Sequence, residues 1–176
     1  MATQSVEKHP FQPFLPEGAR ILFLGSFPPQ AHRWCMPFYY PNWINDFWRI
    51  IGLIHFGDKN HFCIPAEKRF DEALIRQFCT DTGLAFYDTA CEVRRLKDNA
   101  SDAFLEVVTP TDIPALLKQI PQCQTLVTTV KRPPKLSPAP MAAPSRLLAV
   151  ASALLSPADP YASGACPPPP APIPCR

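Results

Sequence analysis

The sequence has no run of 18 apolar residues, no CxxC pair and no GxxxxGK[ST] loop. The first absence argues against a membrane-spanning helix, and the opening stretch MATQSVEKHPFQPFLPEG has no apolar core of a leader peptide, so a soluble, untargeted protein is expected. The seven cysteines (Cys35, Cys63, Cys79, Cys91, Cys123, Cys166 and Cys175) are odd in number and widely spaced. That pattern suits reduced thiols in the cytoplasm better than a disulfide framework or a zinc site. Charge of one sign is scarce as well. The net charge is +2, and residues 1–129, with 12 Lys/Arg against 14 Asp/Glu, stand near −2. Overall charge therefore does not announce a nucleic-acid binder, and any basic surface has to be local. His9, His32, His55 and His61 show no ligand spacing and receive no role.

The last 47 residues lack other things: they hold one aromatic, Tyr161, and one acid, Asp159, beside 13 of the 24 prolines. A segment with so little to bury cannot hold a helix or an inner strand. Residues 1–129 are therefore expected to form one domain, and 130–176 a Pro/Ala-rich, disordered tail.

Within 1–129 the apolar pattern alternates between two periods. Arg20–Ser26 (RILFLGS) is an apolar run closed by Gly and then Phe27-Pro28-Pro29, as in a strand buried on both faces. Leu84–Thr89 and Thr125–Thr129 resemble it. Between them lie helical patterns: Asn42 as a cap ahead of Phe47, Ile50, Ile51 and Ile54; then Leu74, Ile75 and Phe78; then Thr111 ahead of Ile113, Leu116, Leu117 and Ile120. Strands alternating with helices predict a parallel sheet covered by helices, with ligands bound beyond the carboxyl ends of the strands. The loops after Ser26, Thr89 and Thr129 are the places to look.

Three segments there can carry chemistry. Gly25-Ser26-Phe27-Pro28-Pro29 leaves a buried strand stiffly, so its N–H groups can face a ligand, or it simply ends the strand in a proline turn. The stretch from Arg33 to Ile50 holds more aromatics than one helix face can hide. Tyr39, Tyr40 and Trp43 can stack on a flat ligand, and Asn45 can hold a water or read a base edge, or else cap a helix. In the third, Arg94, Arg95, Lys97 and Ser101 can meet phosphates, while a mixed charge run is also what a solvated face looks like. Asp88, at a strand end, reads as a turn residue.

ILFLGSFPP, YYPNWINDFWRIIG and GLAFYDTACEVRRLKDNASD, in that order and spacing, resemble the uracil-DNA glycosylase superfamily, closest to its hypoxanthine-DNA (deoxyinosine) glycosylase branch. The resemblance covers roughly residues 8–129. It implies an α/β protein, a three-layer α/β/α sandwich around a short parallel sheet, that flips a deaminated base out of DNA and hydrolyses its N-glycosidic bond without a metal or other cofactor. Many members carry Asn or Asp in the first motif to place the attacking water. Phe27 stands there in this chain and can do neither. In the hypoxanthine branch the catalytic Asn lies in the helix motif instead, where Asn45 falls. The resemblance further implies a base pocket of Gly25, Ser26, Phe27 and Tyr40. An Asn is a weak base, so acceleration would come mainly from stabilising the departing base and from positioning.

The superfamily's second essential loop, of the form MPSSS, follows a fourth strand, and the chain shows no such string. Yet one choice of codons for Ala162–Arg176, read from the third base of each, spells IWRMPSSSRAYPLS. The same shift turns Thr129–Leu136 into GEKAAETL. The sequence is thus read as a glycosylase-like domain whose coding frame slips near Thr129, leaving the fourth strand missing and activity impaired. The rival for the tail is a genuine Pro/Ala-rich linker. The expected enzyme is a monofunctional, monomeric DNA repair glycosylase acting on hypoxanthine or uracil. The other readings are a non-catalytic nucleic-acid-binding module and an unrelated α/β nucleotide-binding protein.

Overall fold

The computed structural model of the protein describes residues 5–96 and 104–129. The expectations for the tail and for Lys97 and Ser101 lie outside the described residues.

The fold is mixed α/β. Its centre is a parallel sheet of three strands, β2 (Ile21–Gly25), β5 (Leu84–Asp88) and β8 (Thr125–Thr128), in the order β5-β2-β8. Ile21 pairs with Leu84 and Thr125, and Gly25 with Asp88, so the three carboxyl ends come out level. Each lies within a residue or two of the position its apolar run predicts. β5 is buried along its whole length, which is why it reads LAFYD without alternation. Its outer edge is closed by Phe14, which exchanges backbone hydrogen bonds of 3.0 and 2.9 Å with Phe86. The outer edge of β8 has no paired strand among the described residues.

Among the described residues three helices accompany the sheet: α1 (Phe47–Phe56), α2 (Glu72–Thr82) and α3 (Ile113–Gln119). Asp71 and Asp112 cap α2 and α3 by accepting from the backbone N–H of Leu74 and Ala115. The expected opening of α3 at Thr111 thus falls one residue later. Asn42 does not cap α1: its Oδ1 accepts from Ile44 N in the turn before the helix. The buried positions of α1 are Trp48, Ile51 and Gly52, and Ile54 is 67% exposed. The bulk of Trp48, whose indole N–H donates to Tyr39 O at 2.9 Å, decides which face turns inward. Phe47 and Trp48 meet Phe86 in the core, and Phe23 lies edge-on to Phe47. Phe56 and Phe78 bring α1 and α2 together.

A second sheet stands beside the first. β1 (Val6–Lys8), β6 (Ala90–Arg95) and β7 (Leu105–Pro110) are antiparallel in the order β1-β6-β7. Only Thr89 separates β5 from β6, so one corner passes the chain from one sheet to the other. The first part of the charged run, Glu92, Arg94 and Arg95, lies here in the central strand of this sheet. Two short strands, β3 (Cys63–Ile64) and β4 (Arg69–Phe70), form a small hairpin between α1 and α2. Among the described residues no helix is long and apolar enough to cross a membrane.

Candidate functional site

The level carboxyl ends of β5, β2 and β8 place Asp88, Gly25 and Thr129 side by side. Thr89 N donates to Gly25 O at 2.8 Å, and Thr129 N to Leu24 O at 3.1 Å, so the loops start in register. Tyr40 reaches over this edge from the aromatic segment and shares a 3.0 Å hydrogen bond between its hydroxyl and Thr129 Oγ1. Its backbone sits in the left-handed region, φ 53°, a conformation that non-glycine residues adopt at a cost. The ring stacks on Phe47 with centroids 3.8 Å apart and planes 9° from parallel. Burial pushes its phenol well above the usual range.

Gly25 is the floor. A Cβ built on it would collide with Asp88 Oδ1 and lie 3.8 Å from the Tyr40 hydroxyl. Glycine is therefore needed for space, so that carboxylate and loop can share the position. Asp88 and Arg95 are the two buried charged residues among those described. The second carboxylate oxygen, Oδ2, is 2.9 Å from His9 Nε2, and the two side chains are 10% and 3% exposed. His9 is walled by Phe11, Phe27, Tyr39 and Tyr87, with ring centroids 4.8 to 6.2 Å away. Its other nitrogen, Nδ1, meets the backbone of Phe11, 3.1 Å from N and 2.8 Å from O. The Asp88 main-chain oxygen accepts from Thr111 Oγ1 at 2.6 Å, which fixes the corner as well as the side chain.

Of the residues singled out in the sequence, Gly25 and Tyr40 come together here. Phe27 is buried against Ala90, Val93 and Leu105, and its ring stands edge-on to His9. It packs the seam between the two sheets. Ser26 is held at the same corner, its carbonyl 3.5 Å from Thr89 Oγ1. Asn45 Oδ1 accepts from Phe47 N at 2.8 Å, the first N–H of α1, and Asn45 O accepts from Arg49 Nη1 at 3.1 Å.

Arg95 departs from the phosphate-contact expectation. It lies 8% exposed, with Nε and Nη2 each 3.1 Å from a carboxylate oxygen of Glu7 and Nη2 3.2 Å from Pro28 O. Alternation along β6 turns it inward, and its fork ties β1 to the loop after β2. Arg94 faces the other way, paired to Glu106 at 2.7 Å on the surface.

His9 and Asp88 were missed as site residues because nothing local marks them: 79 residues separate them. The only signal was position, since Asp88 closes a fully buried strand of a parallel sheet. An open groove of about 450 Å³ lined by Phe11, Phe14, Trp34, Phe38, Tyr39 and Arg76 lies to one side. It shares Phe11 and Tyr39 with the wall around His9. Among the described residues, no three of His, Cys, Asp and Glu gather as metal ligands would.

The fold has a counterpart among solved structures. The solution NMR structure of a protein from Methanosarcina acetivorans, proposed to be a uracil DNA glycosylase, is similar over 70% of each chain, with a TM-score of 0.52 and 20% identity. The two share a fold. No family model and no curated protein matches this chain. The mixed α/β architecture with its parallel sheet is thus the expected one, and it is similar to the fold of that structure.

Proposed function

We propose that the protein is a DNA glycosylase relative that hydrolyses the N-glycosidic bond of a deaminated base, hypoxanthine or uracil, in DNA. The observation that carries this reading is the convergence of Gly25, Tyr40, Asp88 and Thr129 at the carboxyl ends of a parallel sheet. That is where ligands of such sheets bind. The likeness in fold to a protein proposed to be a uracil DNA glycosylase supports it. In this reading the backbone of Gly25 and Ser26 lies against the flipped base, with Phe27 and Tyr40 shaping the pocket. The amide of Asn45 holds the attacking water. Arg94, with Lys97 and Ser101, meets phosphates through local charge. The chemistry needs no cofactor, because a held water and stabilised leaving charge suffice.

The test is base release by the 176-residue chain from duplex oligonucleotides carrying one uracil or one hypoxanthine. Release is expected, and Asn45→Ala is expected to reduce it. Undiminished release by that variant sinks the assignment of Asn45.

A second reading, a nucleic-acid-binding module without catalysis, is favoured by two observations. Phe47 already covers one face of Tyr40, and Asn45 Oδ1 is spent on Phe47 N–H. Binding of the same oligonucleotides with no base release selects it.

The out-of-frame reading of residues 130–176 is part of the proposal, and in it the chain releases base at a reduced rate. An unbroken gene sequence across Thr129, with a peptide covering Cys166–Arg176 recovered from the native protein, would overturn it.

A further inference from the structure

The glycosylase reading leaves a carboxylate unused, and its surroundings suit it for proton transfer. Asp88 is held at both ends of its corner: Oδ2 by His9 Nε2 at 2.9 Å, and the main-chain oxygen by Thr111 Oγ1 at 2.6 Å. Oδ1 is turned to Gly25 at the carboxyl edge of the parallel sheet. An ionised carboxylate only accepts hydrogen bonds, so His9 Nε2 carries the proton of that contact. Nδ1 lies 3.1 Å from Phe11 N and 2.8 Å from Phe11 O, so the backbone of Phe11 holds the far side of the ring.

The anchoring extends along β1. Glu7 and His9, two residues apart and so on one face of an extended segment, take Arg95 and Asp88 respectively. This segment thereby fixes the loop after β2, through Arg95 and Pro28 O, and the carboxylate at the end of β5. The other titratable groups that face Asp88 are the phenols of Tyr39, Tyr40 and Tyr87, all pushed up by burial and so neutral at working pH.

We propose that Asp88 is the general base of the hydrolysis and that His9 is its positioning residue, supplying from another strand the carboxylate that Phe27 cannot provide. The proposal rests on the glycosylase reading. Water oxygen bonds to C1′ as the C1′–N bond breaks, its electron pair leaving on the base. One water proton passes to Asp88 Oδ1 and then to solvent, and the base anion takes a proton from solvent.

Steady-state base release and its pH profile test this on the full chain, with uracil and hypoxanthine duplexes. Asp88→Asn is expected to lower kcat by about 100-fold or more, the scale of general-base catalysis, with KM little changed and the acidic limb of the profile lost. His9→Phe is expected to lower kcat in the same direction, and His9→Gln, which keeps an N–H at similar reach, to restore most of it. Undiminished kcat in a folded Asp88→Asn overturns the proposal and leaves the glycosylase reading standing. A His9→Phe protein that melts earlier but keeps the wild-type kcat and pH profile overturns the role given to His9. Should Asp88→Asn fail to fold, the wild-type profile decides, and one without an acidic limb overturns the general base. A wild-type chain that releases neither base overturns both readings.

Discussion

Gly25 and Asp88 are register partners across β2 and β5, and the glycine has no room for a side chain because the Asp88 carboxylate fills the space. The pair sets the shape of the sheet's carboxyl edge. Gly25→Ala is therefore expected to push Asp88 off His9, costing about 1–3 kcal/mol as overpacking in a rigid interior does. Urea unfolding of the variant beside the parent checks the cost, and base release checks whether the displaced carboxylate mattered.

Arg94 and Arg95 are neighbours in sequence with opposite consequences. Arg95→Ala strands half-buried Glu7 and frees Pro28 O, and is expected to cost about 2–3 kcal/mol, the range for hydrogen bonds to charged groups. Arg94→Ala removes an exposed pair with Glu106 and is expected to cost less than about 1 kcal/mol. Equal losses in the two melts would contradict the inward placement of Arg95. If Arg94 meets phosphate, its variant should also weaken DNA binding in a salt-dependent way.

Asn45 has two separable contributions. Its Oδ1 accepts the first N–H of α1, so Asn45→Ala is expected to cost about 1 kcal/mol as a lost cap, whatever the enzyme does. Asn45→Asp keeps that acceptor and discards the amide donor. A stable Asp variant with reduced base release would assign the amide to the water, whereas wild-type rates from it would leave Asn45 as a cap alone.

Alkaline pH should unfold the protein through its buried acids. Burial pushes the Cys79 thiol from 9.0 to about 12, and Tyr39, Tyr40 and Tyr87 move in the same direction for the same reason. A folded pKa above the unfolded one means that the folded state keeps its proton where the unfolded state has lost it. Stability is then complete below about pH 9 and falls as pH rises toward 12. Thermal melts between pH 8 and 11 should show a steadily falling Tm, and Cys79→Ala should remove the thiol's share of the slope at some cost in packing.

Much of the fold was legible because buried parallel strands and amphipathic helices leave continuous or periodic apolar patterns. ILFLG, LAFYD and TLVT announced themselves in that way, as did Leu116 and Ile113 on α3. Ala90–Arg95 did not. An antiparallel strand with one polar face alternates, and with Glu92, Arg94 and Arg95 close together the alternation looked like solvated charge. β7 is exposed at nearly every position, so its Leu105, Val107 and Val108 mark no buried face.

The sequence by itself determined the strands of the parallel sheet, the helices between them, the break in composition at Thr129 and the loops where a ligand should lie. These are local properties, written in spacing and in proline. Only the tertiary structure decided that Arg95 turns inward to Glu7 and that His9, just past the first strand, holds Asp88 at the end of the fifth. Contacts between residues 79 and 88 positions apart leave no periodicity in a chain, because they depend on how two sheets meet at one corner.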